Sequence, residues 1–275
     1  SWTIAEVKVA ISDAADVPCE LQRLLFGTTE LGDGRLLGQV LASEGSAVVE
    51  AELLLVRRPP EQAEWLRRVR KDWQSLRSAP PELLSDREVV LAALEGSGRA
   101  LQFAAKELKA DRDVVLTAVR REGLVLNFAE ERLRADREVA LTAVQQNSYA
   151  MQFVAEELKR DCEVVLAAVR SRGDALELVP EELQEDRELV LTAVAQNGLA
   201  LEFAKEALHA DRAIVLAAVH ENGLALEFAA EDLLEDEEVV MIAVRNRGTA
   251  LEFAGLELRA NRDIALAAVT QDGKA

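Results

Sequence analysis

Residues 211–235 read DRAIVLAAVHENGLALEFAAEDLLE, and the same pattern begins again at residue 236. Every copy starts 25 residues after the preceding one, with no insertion between copies. The copies begin at Asp86, Asp111, Asp136, Asp161, Asp186, Asp211, Asp236 and, for a partial copy, Asn261. A fixed period of roughly 20–50 residues is typical of solenoid proteins. We number the full copies 1 to 7, call the partial one copy 8, and count positions within a copy from 1 to 25.

Three short helices are predicted in each copy. Asp or Asn at position 1 can accept hydrogen bonds from the free amides of a helix's first turn, and a Val-Val-Leu-x-Ala-Val pattern at positions 4–9 gives that helix an apolar face. Gly at position 13, replaced only by Ser148, suggests a left-handed residue that closes the helix. This predicts helix A at positions 2–11. Pro180, at position 20 of copy 4, divides the remainder into helix B at positions 14–19 and a one-turn helix C at positions 20–24.

The apolar positions of each copy have two interpretations. One is a ligand groove. The other, which we favour, is a core shared by neighbouring copies, because one copy cannot bury its apolar face alone. The small residue Ala at position 8 of every full copy favours close helix approach. The sequence therefore predicts a mainly α fold, a right-handed α-solenoid of 25-residue helical repeats over residues 86–275.

The charge of the chain restricts the classes of partner. Its 275 residues include 32 basic and 50 acidic side chains, which gives a formal net charge of −18. Such a charge disfavours nucleic acids and anionic membranes, and no apolar run approaches the roughly 20 residues that span a bilayer. We expect the partners to be other proteins, preferably with a basic face. A surface that is acidic only for solubility is the simpler alternative.

Cysteine usage indicates the compartment. Cys19 and Cys162 lie in different parts of the sequence, and no spacing pairs them. We therefore expect free thiols and a cytoplasmic or other reducing compartment. An organellar location stays open, because the natural N-terminus is not visible in the sequence.

No pattern indicates catalysis, a metal or a cofactor. His209 and His220 fall at positions otherwise held by polar residues that we expect to face solvent, and no Cys/His cluster, HExxH, GxSxG or phosphate loop is present. Paired carboxylates such as Glu156 and Glu157 recur in nearly every copy, whereas acid–base catalysis needs two carboxylates in different environments. We therefore expect no enzymatic activity.

Two variable positions form the candidate protein-binding surface. Positions 10 and 14 vary while the rest of the copy is constant, and both border the glycine, so they should form one ridge along the stack. Apolar side chains at position 14, where a solvated helix start would be polar, indicate a contact surface. Ordinary packing between copies is the alternative explanation. The candidate residues are Leu124, Tyr149, Leu199, Leu224, Arg120, Arg170 and Arg245.

Residues 1–58 do not fit the repeat. The stretch TIAEVKVAISDAADVP predicts an amphipathic helix capped by Thr3. Its apolar residues are Ile4, Val7, Val9 and Ile11. A short strand is predicted at residues 22–26, a turn at residues 32–34 and a longer strand at residues 48–56. Together these elements describe a small α+β domain.

This region resembles the central part of ubiquitin. The residues that carry the resemblance are Thr3-Ile4, Val7-Lys8, Val17-Pro18, Gln22-Arg23-Leu24 with Phe26, and Leu31 with Asp33-Gly34-Arg35 and Leu36. The resemblance implies a β-grasp module whose first hairpin would precede Ser1. Arg57-Arg58 run into proline where a conjugated modifier has its Gly-Gly tail, so we expect a built-in module. Leu25 falls where ubiquitin keeps the isoleucine of its apolar recognition patch, although an ordinary half-exposed strand residue would fit as well.

Residues 59–85 are predicted to be a degenerate capping repeat. Residues 61–85 are one period long and lead directly into copy 1, with Trp65 at position 5 and Trp73 at position 13. Terminal repeats are atypical because one of their faces meets something other than a repeat. We expect Trp65 and Trp73 to pack against the ubiquitin-like module.

The repeats over residues 86–275 resemble the DREVVLAAV…G…AL…A…EL repeat of unknown function that is abundant in algal protists. That resemblance implies helical repeats and no particular activity. Two functions follow from the whole sequence. The first is a non-enzymatic protein–protein interaction scaffold or adaptor that engages ubiquitin-receptor machinery. The alternative is a structural or peripheral subunit of a large multiprotein assembly, which could be organellar. We also expect further polypeptide to cover both ends of the chain.

Overall fold

A computed structural model describes residues 2–15, 17–26, 29–42 and 53–273. The chain divides into two compact units, Ser1–Gly96 and Ser97–Ala275. Both units are mainly helical, and a small antiparallel sheet lies in the first, which confirms the predicted fold class. Among the described residues, no helix has both the length and the apolar character needed to cross a membrane.

The Ser1–Gly96 unit begins with a three-stranded sheet and one long helix. Its elements are helix α1 (Ile4–Ala15), a 3-10 helix (Cys19–Leu21), strands β1 (Gln22–Phe26) and β2 (Thr29–Glu30), helix α2 (Leu37–Ala42) and strand β3 (Leu54–Arg57). Strand β1 is central and pairs antiparallel with both β2 and β3. The described part of the strand predicted at residues 48–56 contains β3, and residues 48–52 lie outside the described residues.

The sheet packs on α1 through a small apolar core. Its buried residues are Ile4, Leu24, Leu31 and Val40, with Val7 and Ile11 packed against them. The predicted position of Val9 on this apolar face is wrong, because Val9 is 53% exposed and Lys8 is buried instead. Residues three, four and seven positions after Ile4 lie on the same face of the helix, so this face contains Lys8 and does not contain Val9. The Lys8 ammonium pairs with Asp33 at 2.5 Å.

The same unit continues with four helices. They are α3 (Pro60–Lys71), a 3-10 helix (Trp73–Ser78), α4 (Pro81–Leu84) and α5 (Arg87–Gly96). Trp65 is buried, with the Arg68 guanidinium 4.2 Å above its ring. Trp73 lies against Gly96 of α5, where an added Cβ would be 3.2 Å from the Trp73 Cβ. Trp73, at position 13, therefore contacts the helix A that follows it. The expected packing of Trp65 and Trp73 on the N-terminal module stays a prediction.

Arg58 links the sheet to α5. Its side chain is buried, and Nη1 donates to the Gln22 carbonyl at 2.7 Å. Nη2 donates to the Glu30 carboxylate at 3.0 Å and also to Glu88. Glu30 belongs to β2 and Glu88 to α5, so one guanidinium holds three elements together.

Repeated copies make up the Ser97–Ala275 unit. Helix A spans Arg112–Arg121, Arg137–Gln146, Cys162–Ser171, Arg187–Gln196, Arg212–Glu221, Glu237–Asn246 and Arg262–Gln271. Helix B is a 3-10 helix over Gly98–Phe103, Gly123–Phe128, Ser148–Phe153, Gly173–Leu178, Gly198–Phe203, Gly223–Phe228 and Gly248–Phe253. Helix C spans Lys106–Lys109, Glu131–Arg134, Glu206–His209, Glu231–Leu234 and Leu256–Arg259. Helices A of successive copies contact each other, as do helices B, so neighbouring copies pack as in a repeat solenoid.

Side-chain caps set where these helices begin. The Asp111 carboxylate accepts the amides of Asp113 and Val114 at 2.9 and 3.1 Å, which confirms helix A and its cap at position 1. Helix B occupies positions 13–18, one residue before the prediction. Its cap is position 12, where the Asn197 side chain accepts the Leu199 amide at 3.1 Å.

The glycine at position 13 does not close helix A. The residue before it is extended, as in Asn222 with φ −144 and ψ 112, and the glycine itself begins helix B without a left-handed backbone. The predicted conformational role is therefore wrong. An added Cβ on Gly223 would lie 2.2 Å from the Ala243 carbonyl oxygen of the next copy, so glycine is required for close contact between copies. Ser148 takes this position in copy 3, where it is buried and its hydroxyl has no hydrogen-bond partner among the described residues.

A backbone hydrogen bond joins most successive copies. The amide at position 20 donates to the carbonyl at position 24 of the preceding copy, as Ala230 does to His209 at 3.0 Å. Helix C therefore begins at position 21, one residue after the prediction. Pro180 has no amide hydrogen to donate at position 20 of copy 4. In that copy residues 181–185 form turns, and copy 3 has a short 3-10 helix, Leu158–Arg160, in place of helix C.

Exposed ion pairs also link the copies, and sequence analysis missed them. Arg137, at position 2, donates to Asp161 at 2.7 Å and to Glu163, which occupy positions 1 and 3 of the next copy. The equivalent pairs are Arg112–Asp136, Arg187–Asp211 and Arg212–Asp236. The Arg137 guanidinium holds the pKa of Asp161 below its usual value. The pair therefore stabilises the stack above the ordinary aspartate pKa of about 3.9, and that stabilisation is lost as the pH falls through the lowered pKa.

Cys162 interrupts this series of ion pairs. It holds position 2 of copy 4, and Asp186, which begins the next copy, is exposed where its equivalents are half-buried. We expect Cys162→Arg to raise the Tm of the repeats by about 1–3 °C in low salt, because the new guanidinium can pair with Asp186. The increase should disappear in about 1 M NaCl, where the Debye length is about 3 Å. Thermal melts followed by circular dichroism measure both values. Cys162→Ala is the control, and an equal increase for it would assign the effect to loss of the thiol.

Candidate protein-interaction surfaces

The outer face of the sheet carries Leu25, Leu54 and Val56, which we call the sheet patch. Leu25 lies directly opposite Leu54 in the β1–β3 pair. Val56 follows Leu54 by two residues, so both side chains point to the same face, away from the buried Leu24. Leu54 is 63% exposed, Val56 is 39% exposed and Leu25 is half-buried. The patch is therefore an apolar surface open to solvent.

The predicted ridge consisted of positions 10 and 14, whereas the contacts between copies join position 14 of one copy to positions 12 and 14 of the next. From here on the ridge means the row of positions 12 and 14, and position 10 is described separately. The Tyr149 hydroxyl donates to the Asp174 carboxylate at 3.2 Å, which joins position 14 of copy 3 to position 14 of copy 4. The Arg172 guanidinium, at position 12 of copy 4, lies 4.8 Å from the centre of the Tyr149 ring. Arg99 pairs with Glu122 at 2.8 Å in the same relation between copies 1 and 2. These contacts join copies 1 and 2 and copies 3 and 4 along the ridge.

A protein family described as "Domain of unknown function (DUF4116)" matches residues 65–109, 111–159, 161–209, 211–259 and 236–275. The chain belongs to this family. Most of the matched DUF4116 segments cover two of the 25-residue copies, and the first includes part of the degenerate repeat. No curated protein and no solved structure matches the chain. Membership agrees with a tandem helical repeat and supplies no activity.

The candidate residues of the DUF4116 repeats differ in exposure. At position 10, at the end of helix A, the side chains are exposed: Arg120, Arg170 and Arg245. At position 14, Leu124 is 40% and Tyr149 36% exposed. Leu199 and Leu224, at the same position, are half-buried. The exposed apolar part of the ridge is therefore restricted to copies 2 and 3.

Sequence analysis missed three residues of these surfaces. Leu54 and Val56 were parts of an expected strand, but their face depends on its register against β1, which the sequence does not state. Arg121, at position 11 of copy 2, is exposed beside Arg120. Two consecutive arginines shortly before the apolar Leu124 could have indicated this residue in the sequence.

A groove of about 970 Å³ lies within the Ser1–Gly96 unit, lined by residues of α1, the sheet, α3 and α5. Its charged walls are largely paired, as Lys8 is with Asp33 and Arg23 with Glu30. The described lining residues include the thiol of Cys19 and no histidine that could activate it. Within the described part of the chain, no group of His, Cys, Asp and Glu side chains is arranged to hold a metal ion.

His209 does not face solvent as expected. It is half-buried, and its Nε2 lies 2.9 Å from the Leu201 carbonyl oxygen of the same copy. Lys109, also at position 24, makes a similar contact: its ammonium donates to the Gln102 carbonyl at 2.8 Å. The side chain at position 24 therefore turns back towards helix B of its own copy in both cases. Burial lowers the pKa of Lys109. Both side chains are thus used in local packing, whereas His220 is exposed.

Proposed function

We propose that this protein is a non-enzymatic interaction scaffold that combines a ubiquitin-like module with a helical-repeat surface. The observation that carries the proposal is the sheet patch, which exposes Leu25, Leu54 and Val56 on one face of a regular sheet. Contiguous apolar side chains on a protein surface commonly mark interaction sites. The repeats supply a second surface along the ridge.

The arrangement of residues 1–58 supports the ubiquitin-like module. A helix precedes an antiparallel strand pair, a later strand returns beside β1, and the sheet packs on that helix, as a β-grasp module requires. Residues that carry the resemblance make the main internal contacts: Leu24 and Leu31 are buried, and Lys8 pairs with Asp33. Leu25 falls where ubiquitin keeps its recognition isoleucine. We therefore expect the sheet patch to dock on ubiquitin-receptor machinery.

The acidic repeats favour a second protein with a basic face. Position 17, on helix B, carries a row of exposed glutamates: Glu177, Glu202, Glu227 and Glu252. Among the described residues none of them has an ion-pair partner, so their charge is available to attract a basic surface. Cys19 and Cys162 are free thiols, which fits action in a reducing compartment.

Binding to isolated ubiquitin-receptor domains tests the module. We expect the full chain to bind at least one member of a panel, and Leu54→Asp to weaken that binding at least about tenfold, because an interface would desolvate the new charge. Leu25→Ala should weaken it less, since Leu25 is already half-buried. Val9→Asp is the matched control, because Val9 is an exposed apolar residue of α1 outside the patch. Titration calorimetry measures the affinities.

Two outcomes would reject the docking role of the module. One is that the intact chain binds no receptor domain. The other is that Val9→Asp weakens binding as much as Leu54→Asp does. Circular dichroism of each variant separates loss of binding from loss of fold.

A structural subunit of a large assembly is the second candidate function. Leu256, in copy 7, is 80% exposed at a position where copies 1 to 6 carry charged residues, which favours apolar packing on another protein. A subunit of this kind should co-purify from its native source in fixed stoichiometry. A scaffold should instead be recovered with sub-stoichiometric and variable partners.

A further inference from the structure

Copies 2 to 4 combine free positive charge with exposed apolar groups. Arg120 and Arg121 end helix A of copy 2, Leu124 and Tyr149 lie on the ridge, and Arg170 lies in the last turn of helix A of copy 4. We call these five residues the arginine patch. Helices B of copies 2 and 3 contact each other, and Leu124 and Tyr149 hold the same position 14 in these two helices. The arginines lie at the ends of helix A in copies 2 and 4.

The guanidinium groups of the three patch arginines form no ion pair with neighbouring copies among the described residues. Arginines at position 2, such as Arg137, pair with carboxylates of the next copy. Arg120, Arg121 and Arg170 are exposed, and among the described residues none has a carboxylate within ion-pair distance. Arginine binds carboxylates with a planar pair of donors and is enriched in protein interfaces. Their charge is therefore available to a partner.

Tyr149 is already held in a binding orientation. Arg172 stacks on its ring, and its hydroxyl donates to Asp174, so two contacts restrict its rotation. An aromatic side chain that is ordered before binding loses little conformational entropy when a partner covers it. Tyr149 remains 36% exposed and Leu124 40% exposed, which leaves surface for a partner to bury. This is the composition of an interface anchor: an ordered tyrosine, an apolar neighbour and free arginines.

We propose that the arginine patch binds an acidic segment of another protein that also carries leucine or aromatic side chains. The proposal deepens the scaffold function described above, and it rests on the repeats without depending on the ubiquitin-like module. The net charge of −18 opposes an acidic partner only at long range. At physiological salt the Debye length is about 8 Å, so the arginines that touch the partner outweigh distant carboxylates.

A labelled synthetic peptide of repeated Glu-Glu-Leu-Phe units tests this proposal in fluorescence anisotropy with the full chain. We expect binding that weakens as salt is added. The double variant Arg120→Glu, Arg170→Glu should weaken it at least about tenfold, because each change replaces an attraction by a repulsion. Arg259→Glu is the matched control, since Arg259 is exposed at the end of helix C in copy 7 and has no ion-pair partner among the described residues. It should change the affinity less than about twofold.

Several results would overturn the proposal. They are no binding of the Glu-rich peptide at low salt, an equal loss for Arg259→Glu, or tighter binding of a single-stranded oligonucleotide than of the peptide at the same patch. Self-association in sedimentation that the double variant abolishes would make a second copy of the chain the occupant instead. Leu54→Asp separates this proposal from the docking of the module, because it should weaken receptor-domain binding at least about tenfold and leave peptide binding unchanged.

Discussion

Gly198→Ala is expected to destabilise the repeats by about 2–4 kcal/mol, because the new methyl group would occupy the contact between copies 5 and 6. A Cβ at this residue would lie 2.3 Å from the Ala218 carbonyl oxygen and 2.9 Å from the Asn222 amide nitrogen. These two atoms form a backbone hydrogen bond of 2.8 Å, so neither can rotate away. Overpacking costs about 1–3 kcal/mol, and weakening that bond adds about 1 kcal/mol. Urea denaturation measures the total, and hydrogen exchange should locate the lost protection in copies 5 and 6.

Gly273 provides the matched control for Gly198. It holds the same position 13 in copy 8, and an added Cβ would have no atom of the described residues within 4 Å. Gly273→Ala should therefore leave the free energy of unfolding unchanged or slightly higher, by up to about 1 kcal/mol, because alanine restricts the unfolded chain. The free-energy cost of Gly198→Ala should not exceed the expected range, because copy 3 already accommodates a Cβ at position 13, that of the buried Ser148. If Gly198→Ala and Gly273→Ala have equal stabilities, the close-contact role of position 13 is wrong.

The helices were predictable from sequence because their signals are local. Asp at position 1 and the apolar spacing after it define helix A within one copy, and the structure confirms these bounds. The role of glycine was not predictable in this way. The sequence shows that position 13 is glycine but not whether the reason is a left-handed backbone or close contact with a neighbouring carbonyl group. The structure decides for close contact, because an added Cβ on Gly223 would clash with the Ala243 carbonyl oxygen. The ion pairs between copies, such as Arg137 with Asp161, join residues 24 positions apart and are visible only once the copies are stacked.

The candidate surfaces were predictable only in part for the same reason. The variability of position 14 indicated a surface position. The sequence did not show how exposed each side chain is: Leu124 and Tyr149 are exposed, whereas Leu199 and Leu224 are half-buried. Leu25 was identified through a resemblance, whereas its neighbours in the sheet patch required the register of β3. Net charge also gave an incomplete answer. It describes the average surface, and the free arginines of copies 2 to 4 form a local exception.

Arg58→Ala is expected to lower the free energy of unfolding of the Ser1–Gly96 unit by about 2–4 kcal/mol, because it removes a buried guanidinium that joins β2 to α5. Loss of one partner from a buried ion pair costs about 3–5 kcal/mol when the remaining charge stays buried. The value here should be lower, since the carboxylates of Glu30 and Glu88 remain 33% and 29% exposed. Thermal denaturation measures the effect, and hydrogen exchange should show faster opening of β1 and α5. Arg57→Ala, a change at the adjacent exposed residue, should have little effect.

The two carboxylates that Arg58 binds should respond differently to its loss. Glu30 keeps a second cation, Arg23, at 2.7 Å, so the removal of Arg58 leaves mainly Glu88 without its partner. The double variant Arg58→Met, Glu88→Leu should therefore recover at least about half of the lost stability, because apolar groups can replace a buried pair at small cost. Recovery by Glu88→Leu but not by Glu30→Leu would assign the stabilisation to the α5 contact. If Arg58→Ala lowers the free energy of unfolding by less than about 1 kcal/mol, the value is that of a solvent-exposed ion pair. Such a result would reject the link between the sheet and α5.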